Sequence, residues 1–185
     1  MGARESILGQ IKDISLPSKE LPLVPIFEGF SDNKEEYFLT MLAALGVEVI
    51  ISDQLSDLEE VVAERAKEGE VYSNVEGIPS VENISSQLNL SVINGSLGVA
   101  ENGAIWVDGD QLKERYLTAI ASHLMIVLPY QKLVWNMHEA YTYINPEETG
   151  YGVFISGPSK TADIEQSLVK GAHGAKSLTV FLHKK

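Results

Sequence analysis

Residues Tyr151-Gly-Val-Phe-Ile-Ser-Gly-Pro-Ser-Lys-Thr-Ala-Asp-Ile-Glu165, followed by Gly171-Ala-His-Gly174, set the fold class of this chain. The apolar run from Tyr151 to Ile155 predicts a short buried strand, and Ser156-Gly157-Pro158-Ser159 breaks it. Gly157 permits a backbone angle that other residues avoid, and Pro158 fixes its own φ. A helix is expected over 161–170, capped by Ser159 or Thr161, with Asp163 and Glu165 in its first turns. Strand, glycine turn and hydroxyl-capped helix together leave several N–H groups free beyond the sheet, a cradle for an anion or a carboxylate. The same residues also describe an ordinary strand-to-helix turn with good capping, and both readings stand at this point.

Short apolar runs alternate with helical periodicity along the rest of the sequence. Strands are expected at 47–51, 71–73, 91–94, 104–107, 123–128 and 178–182. Helices are expected at 3–13, 32–45, 57–67 and 131–144. Gly95-Ser-Leu-Gly98 reads as a loop ending a strand, and Leu133, Val134, Met137 and Tyr141 form the inward side of the 131–144 helix. Residues 74–90 read as a loop with a short helix. Strands separated by helices argue for an α/β domain with a mostly parallel sheet. Residues 1–25 are expected to be a helix and an extended, proline-bearing link, and 26–185 a single domain.

Two blocks carry a resemblance. Ser156-Gly-Pro-Ser-Lys-Thr-Ala-Asp-Ile-Glu165, with Gly171-Ala-His-Gly174 and the closing run Leu178-Thr-Val-Phe-Leu182, resembles the C-terminal signature of the LUD-domain family. Gly98-Val-Ala-Glu-Asn-Gly-Ala-Ile-Trp-Val107 is similar to that family's glutamate-bearing turn and strand, with Asn102 and Ala104 where threonines are usual. The family comprises lactate-utilisation proteins, and the short chain suits their C component. The resemblance implies a three-layer α/β/α sandwich of the NagB/RpiA/CoA-transferase type, preceded by an N-terminal helix. It also implies a part in oxidising L-lactate to pyruvate in the cytoplasm, beside partner subunits that carry iron–sulfur clusters. The alternative it leaves open is a stand-alone enzyme of the sugar-phosphate isomerase or acyl-CoA transferase kind, acting on a small anion.

Ligands of parallel α/β sheets bind beyond the carboxyl ends of the strands. The loops 94–98, 156–161 and 171–174 are therefore expected to converge there, with the 100–103 turn facing them. Glu101 is a candidate base, nucleophile or polar anchor, or else a turn glutamate bonded to backbone amides. His173 is a candidate acid/base or anion contact, or else a partner for a loop carbonyl. The expected ligand contacts are Gly98, Asn102, Gly103, Ser156, Gly157, Ser159, Lys160, Thr161, Asp163 and Gly174. Asp163 also suits a helix-start role, and Lys160 an exposed one.

Composition narrows the classes. Residues 1–90 hold 17 Asp and Glu against 6 Lys and Arg, while 91–185 hold 9 against 8, so the acidity lies in the first half. A net charge of −12 argues against nucleic acid or an anionic membrane as a partner. With no cysteine, these residues offer neither disulfides nor thiolate ligands, so no cofactor is expected in this chain. No apolar run is long enough to span a bilayer. Gly152-Val-Phe-Ile-Ser-Gly157 lacks the Lys-Ser/Thr that must follow a phosphate loop, and His123, His138, His173 and His183 lack metal-ligand spacing.

Overall fold

The computed structural model describes residues 2–14, 19–20, 22–23, 25–29, 32–84, 88–145, 150–164, 167–171 and 173–184, with backbone alone over 161–164 and 167–170. Its strands are β1 (Glu48–Ser52), β2 (Val71–Ser73), β3 (Leu90–Asn94), β4 (Leu97–Val99), β5 (Ala104–Asp108), β6 (His123–Pro129), β7 (Leu133–Val134), β8 (Gly152–Ile155), β9 (Lys160–Ile164), β10 (Ser167–Lys170) and β11 (Ser177–His183). Its α-helices are α1 (Ala3–Lys12), α2 (Lys34–Leu45), α3 (Leu55–Arg65) and α4 (Met137–Tyr143).

Five strands, in the order β1-β11-β6-β3-β2, form the principal sheet, and every neighbouring pair is parallel. The continuous apolar runs of β6 and β11 fit strands covered on both faces. Alternation sorts their side chains. Leu124, Ile126 and Leu128 of β6, with Leu178, Val180 and Leu182 of β11, join one core with Phe38 and Leu42 of α2. Met125, Val127 and Phe181 join the other core, with Leu58 and Val62 of α3. The sheet thus lies between α3 and α2, as the α/β reading expects.

Helix α2 starts where Asn33 accepts the Glu36 N–H at 3.1 Å, and stops at Gly46 in the left-handed region (φ +77°).

A second sheet, β7-β4-β5-β8, was not foreseen. Ile105 and Val107 of β5 face the α2 core, while Trp106, Leu97 and Val99 pack with Ala140 of α4. Residues 95–98, read as a loop, therefore run into strand β4 at Leu97. The helix expected over 131–144 is instead β7 followed by the shorter α4. Asn136 sets its start by accepting the Glu139 N–H at 2.9 Å, and Leu133 and Val134, both buried, pair with β4. Tyr141 and Tyr143 face solvent at 57% and 69% exposure, not inward.

The helix expected over 161–170 is replaced by the antiparallel hairpin β9–β10, with Val169 opposite Thr161 and Lys170 opposite Lys160. Thr161, Ile164, Leu168 and Val169 suit a strand as well as a helix, and tertiary bonds decide. The Gly171 N–H donates to the Ser159 carbonyl at 3.2 Å, and the Ser159 N–H to the Ala175 carbonyl at 2.9 Å. These close the base of the hairpin beside β11.

Candidate functional site

The Ser156–Lys160 segment meets the 100–103 turn and the end of α2. Ser156 Oγ donates to the Asn102 carbonyl at 2.9 Å, and Asn102 Oδ1 accepts the Ala104 N–H at 3.0 Å. Gly157 (φ +84°) leaves no room for an unstrained Cβ, which would stand 3.3 Å from Leu45 Cβ. Gly103 (φ +65°) approaches closer still, at 2.9 Å from Leu45 Cδ1. Lys160 Nζ donates to the Leu45 carbonyl at 2.7 Å. Carbonyls of a last helical turn lack intrahelical partners, and a cation there is favourable. The segment therefore clamps the second sheet to α2.

This changes the expected cradle. No helix follows Ser159, so Thr161 and Asp163 sit in β9 and not at a helix start, and their side chains lie outside the described ones. The N–H groups of Ser159, Gly171 and Lys176 are also engaged, by the carbonyls of Ala175, Ser159 and Ser122.

The three loops do not converge either. Gly171, His173 and Gly174 precede β11 and lie at the amino edge of the sheet, while the 94–98 segment ends β3 at its carboxyl edge. Strands of this length hold the two edges about 20 Å apart. At the amino edge, Gly174 lies against Ser159, and exposed His173 lines a pocket of about 390 Å³ with Tyr116, Ile120, Ser122 and Lys176. Glu101 turns elsewhere, its Oε1 accepting the Met137 N–H at 2.7 Å and so holding the start of α4. At Gly98 a Cβ would stand 2.7 Å from the Leu128 and Leu133 side chains, which makes it a packing position.

The carboxyl edge carries a cleft that sequence reasoning missed. It holds about 440 Å³, and its polar lining includes Lys34, Ser96, Asp108, Gln131, Lys132 and Glu139. Ser96 Oγ and Trp106 Nε1 both donate to the Asp108 carboxylate, the latter at 2.5 Å, and Gln111 Nε2 donates to Ser96 Oγ at 3.3 Å. Asn74 joins the edge of this network, accepting the Asn94 N–H at 3.0 Å and donating to the Gln111 carbonyl at 2.8 Å. Lys34 Nζ donates to the Leu133 carbonyl at 2.9 Å and lies 5.9 Å from the Trp135 ring centre. Lys34 and Lys132 thus line the same cleft as the bonded Asp108 carboxylate. The Asp108-Gly109-Asp110 turn was the signal for it in the sequence.

A third polar cluster lies at the amino side of β11. Arg65 bonds Glu48 at 2.5 Å and Thr179 at 2.8 Å, and Thr179 donates to Glu48 at 2.8 Å. The bond from Arg65, aided by that from Thr179, holds the Glu48 carboxyl below its ordinary range despite partial burial. Among the described residues, no group of three His, Cys, Asp or Glu side chains is placed to hold a metal ion.

The sequence model of the LUD domain matches residues 81–183, more than half of the chain, taking in both the carboxyl-edge cleft strands and the Ser156–Lys160 clamp. The chain belongs to the LUD domain family. Lactate utilization protein C 1 of Bacillus mycoides is 30% identical to this LUD-domain chain over 92 residues, covering 46% of the chain and 39% of the relative. Lactate utilization protein C of Shouchella clausii is 33% identical over 92 residues, covering 46% and 40%. The LUD-domain chain thus matches only about two fifths of these relatives' length. A crystal structure of a DUF162 family protein from Deinococcus radiodurans superposes with a TM-score of 0.58 at 14% identity, over 80% of this chain and 95% of that one. That likeness shows the shared fold. Among the described residues no helix is long and apolar enough to cross a membrane.

Proposed function

We propose that this LUD-domain chain serves L-lactate utilisation in the cytoplasm as a ligand-binding accessory subunit, beside iron–sulfur subunits that carry the electrons. Oxidising L-lactate to pyruvate releases two electrons and two protons, and so requires a redox centre. Iron–sulfur clusters need thiolate ligands, and these 185 residues contain no cysteine, so a cluster does not fit this chain. The names of its relatives support the pathway. The observation that carries the binding role is the carboxyl-edge cleft, where Lys34 and Lys132 stand beside Ser96 and Asp108. Its volume suits a small carboxylate, with an ammonium to meet the charge and Asp108 to accept from a hydroxyl. Engagement of Glu101 with α4 favours this reading over a lone enzyme built on that glutamate.

The amino-edge pocket of His173, Gly174 and Lys176, with Ser159 packed against Gly174, is the second place where a small anion fits. One thermal-shift series separates the two. Lactate, pyruvate, a sugar phosphate and coenzyme A are titrated against wild type, Lys132→Ala, Ser96→Ala, His173→Ala and Lys176→Ala. A ligand that binds the native state raises its melting temperature by mass action. A lactate or pyruvate shift lost in Lys132→Ala and Ser96→Ala, and kept in the other two, is the expected result. Loss only in the His173 and Lys176 variants moves the site to the amino edge. A shift with sugar phosphate or coenzyme A alone favours the stand-alone enzyme.

A further inference from the structure

We infer that this chain holds an inorganic phosphate ion in a small polar recess at the amino edge of its principal sheet, apart from the carboxyl-edge cleft and the His173 pocket. Alternation along the strands places His123 of β6, Ser177 and Thr179 of β11 and Leu90 of β3 on the face that α3 covers, with Met125, Phe181 and Val92. Deeper in the sheet that face is apolar, but its amino end is polar. Arg65, Glu68, Asn89, Leu90, His123 and Ser177 line a recess of about 230 Å³ there. Pockets for drug-sized molecules begin at roughly 300 Å³, so this one suits a compact ion.

The lining is rich in donors. Asn89 Nδ2 is shut off from solvent and, among the described residues, meets no acceptor. The backbone around it is fixed. The Asn89 N–H donates to the Glu70 carbonyl at 3.0 Å, and the Asn89 carbonyl accepts the His123 N–H at 2.8 Å. A buried donor without an acceptor costs free energy, and the last torsion of an asparagine is soft, so the amide turns toward an acceptor that enters the recess. His123 Nδ1 and Ser177 Oγ lie 2.6 Å apart, and the pair keeps a donor to spare in either arrangement. When the hydroxyl donates to Nδ1, Nε2 carries the ring proton; when Nδ1 donates, the hydroxyl hydrogen is free. Arg65 uses one N–H on Thr179 and one on Glu48, out of the five a guanidinium carries. Amide, imidazole–hydroxyl pair and guanidinium together suit an oxyanion. Glu48 offsets the guanidinium charge, which leaves hydrogen bonding as the main attraction and places the affinity in the millimolar range.

Glu68 selects among oxyanions. A carboxylate in the lining repels an ion that has no proton, and accepts from one that keeps an O–H. Inorganic phosphate keeps a P–O–H group near neutral pH in both of its ionic forms. Sulfate keeps none, and a phosphate ester is mostly a dianion without one.

Isothermal titration calorimetry of the intact chain with sodium phosphate, sodium sulfate and glycerol phosphate, near neutral pH and at matched ionic strength, tests this. Phosphate is expected to bind at least about 10-fold more tightly than the other two, and Glu68→Gln to shrink that gap. Asn89→Ala and His123→Ala should each weaken phosphate binding by about 10-fold or more. Without phosphate, Asn89→Ala should melt no lower than wild type, because it deletes a group that has no partner. A merely structural asparagine would leave phosphate binding unmoved. In nitrogen–proton correlation spectra of wild type, phosphate should shift the Asn89 side-chain amide and the His123 ring signals. No phosphate binding, equal binding of sulfate or glycerol phosphate, binding that survives in Asn89→Ala, or binding lost in Lys176→Ala instead overturns the inference.

Discussion

Replacing Gly103 with alanine tests whether the 100–103 turn is a clamp on α2. At φ +65° an alanine pays for the left-handed conformation, about 1–2 kcal/mol. Its Cβ would also stand 2.9 Å from Leu45 Cδ1 and 3.4 Å from Leu42 Cδ2, with the Leu42 backbone nitrogen at 3.5 Å. The Leu42 contacts are of ordinary length, so it is Leu45, partly buried and packed against the core, that must yield, and overpacking of this kind costs roughly 1–3 kcal/mol more. The expected loss is therefore about 3 kcal/mol, which in a domain of this size lowers Tm by roughly 6–12 °C. Gly46→Ala is the control, because its φ is +77° and nothing lies within 4 Å of the added Cβ. It should lose about 1 kcal/mol, the conformational share alone. Urea unfolding of both variants, followed by circular dichroism, measures the difference. If Gly103→Ala loses no more than Gly46→Ala, the close approach to α2 is not what requires glycine, and the clamp argument fails.

Three further outcomes follow from the same contacts. Lys160→Met removes the cation from the Leu45 carbonyl, and should cost about 0.5 kcal/mol in a denaturant melt while leaving any ligand shift intact. Asp108→Ala leaves Ser96 and Trp106 without their acceptor, and should cost about 1–3 kcal/mol and alter the tryptophan emission; an unchanged spectrum and stability would count against the network. Glu48 has a folded pKa below its ordinary 4.5, so its contribution is present above that value and is lost as pH falls through the lowered one. Glu48→Gln should accordingly be the less stable protein at neutral pH, by no more than about 1 kcal/mol because the side chain is 56% exposed. The gap should narrow as pH falls below 4.5, and a gap that is the same on the acid side as at neutral pH would refute the assignment.

The α/β class, the parallel sheet and most element positions were legible in the chain. Runs such as Leu124–Leu128 are apolar at every position, and few arrangements other than a strand covered on both faces accommodate them. Glycine at 46 marked the end of α2, while its start, expected at residue 32, is set by Asn33 capping one residue later. The signature of Ser156–Glu165 and Gly171–Gly174 was sufficient to recognise the family. Its mechanical meaning was not legible, because the partners of Gly157, Gly103 and Lys160 are Leu45 and its carbonyl, distant in sequence. Residues 161–170 and 131–144 were misread for a related reason. Their apolar residues satisfy helix and strand spacing alike, and hydrogen bonds from Ser159, Gly171 and the β4 edge select the ladder. The carboxyl-edge cleft is likewise a tertiary product. Lys34, Ser96, Asp108 and Lys132 belong to four different elements or connections, and only the parallel order of the sheet brings their ends together. Local chemistry thus determined which segments form and which family they belong to, while long-range packing decided which of their loops face one another.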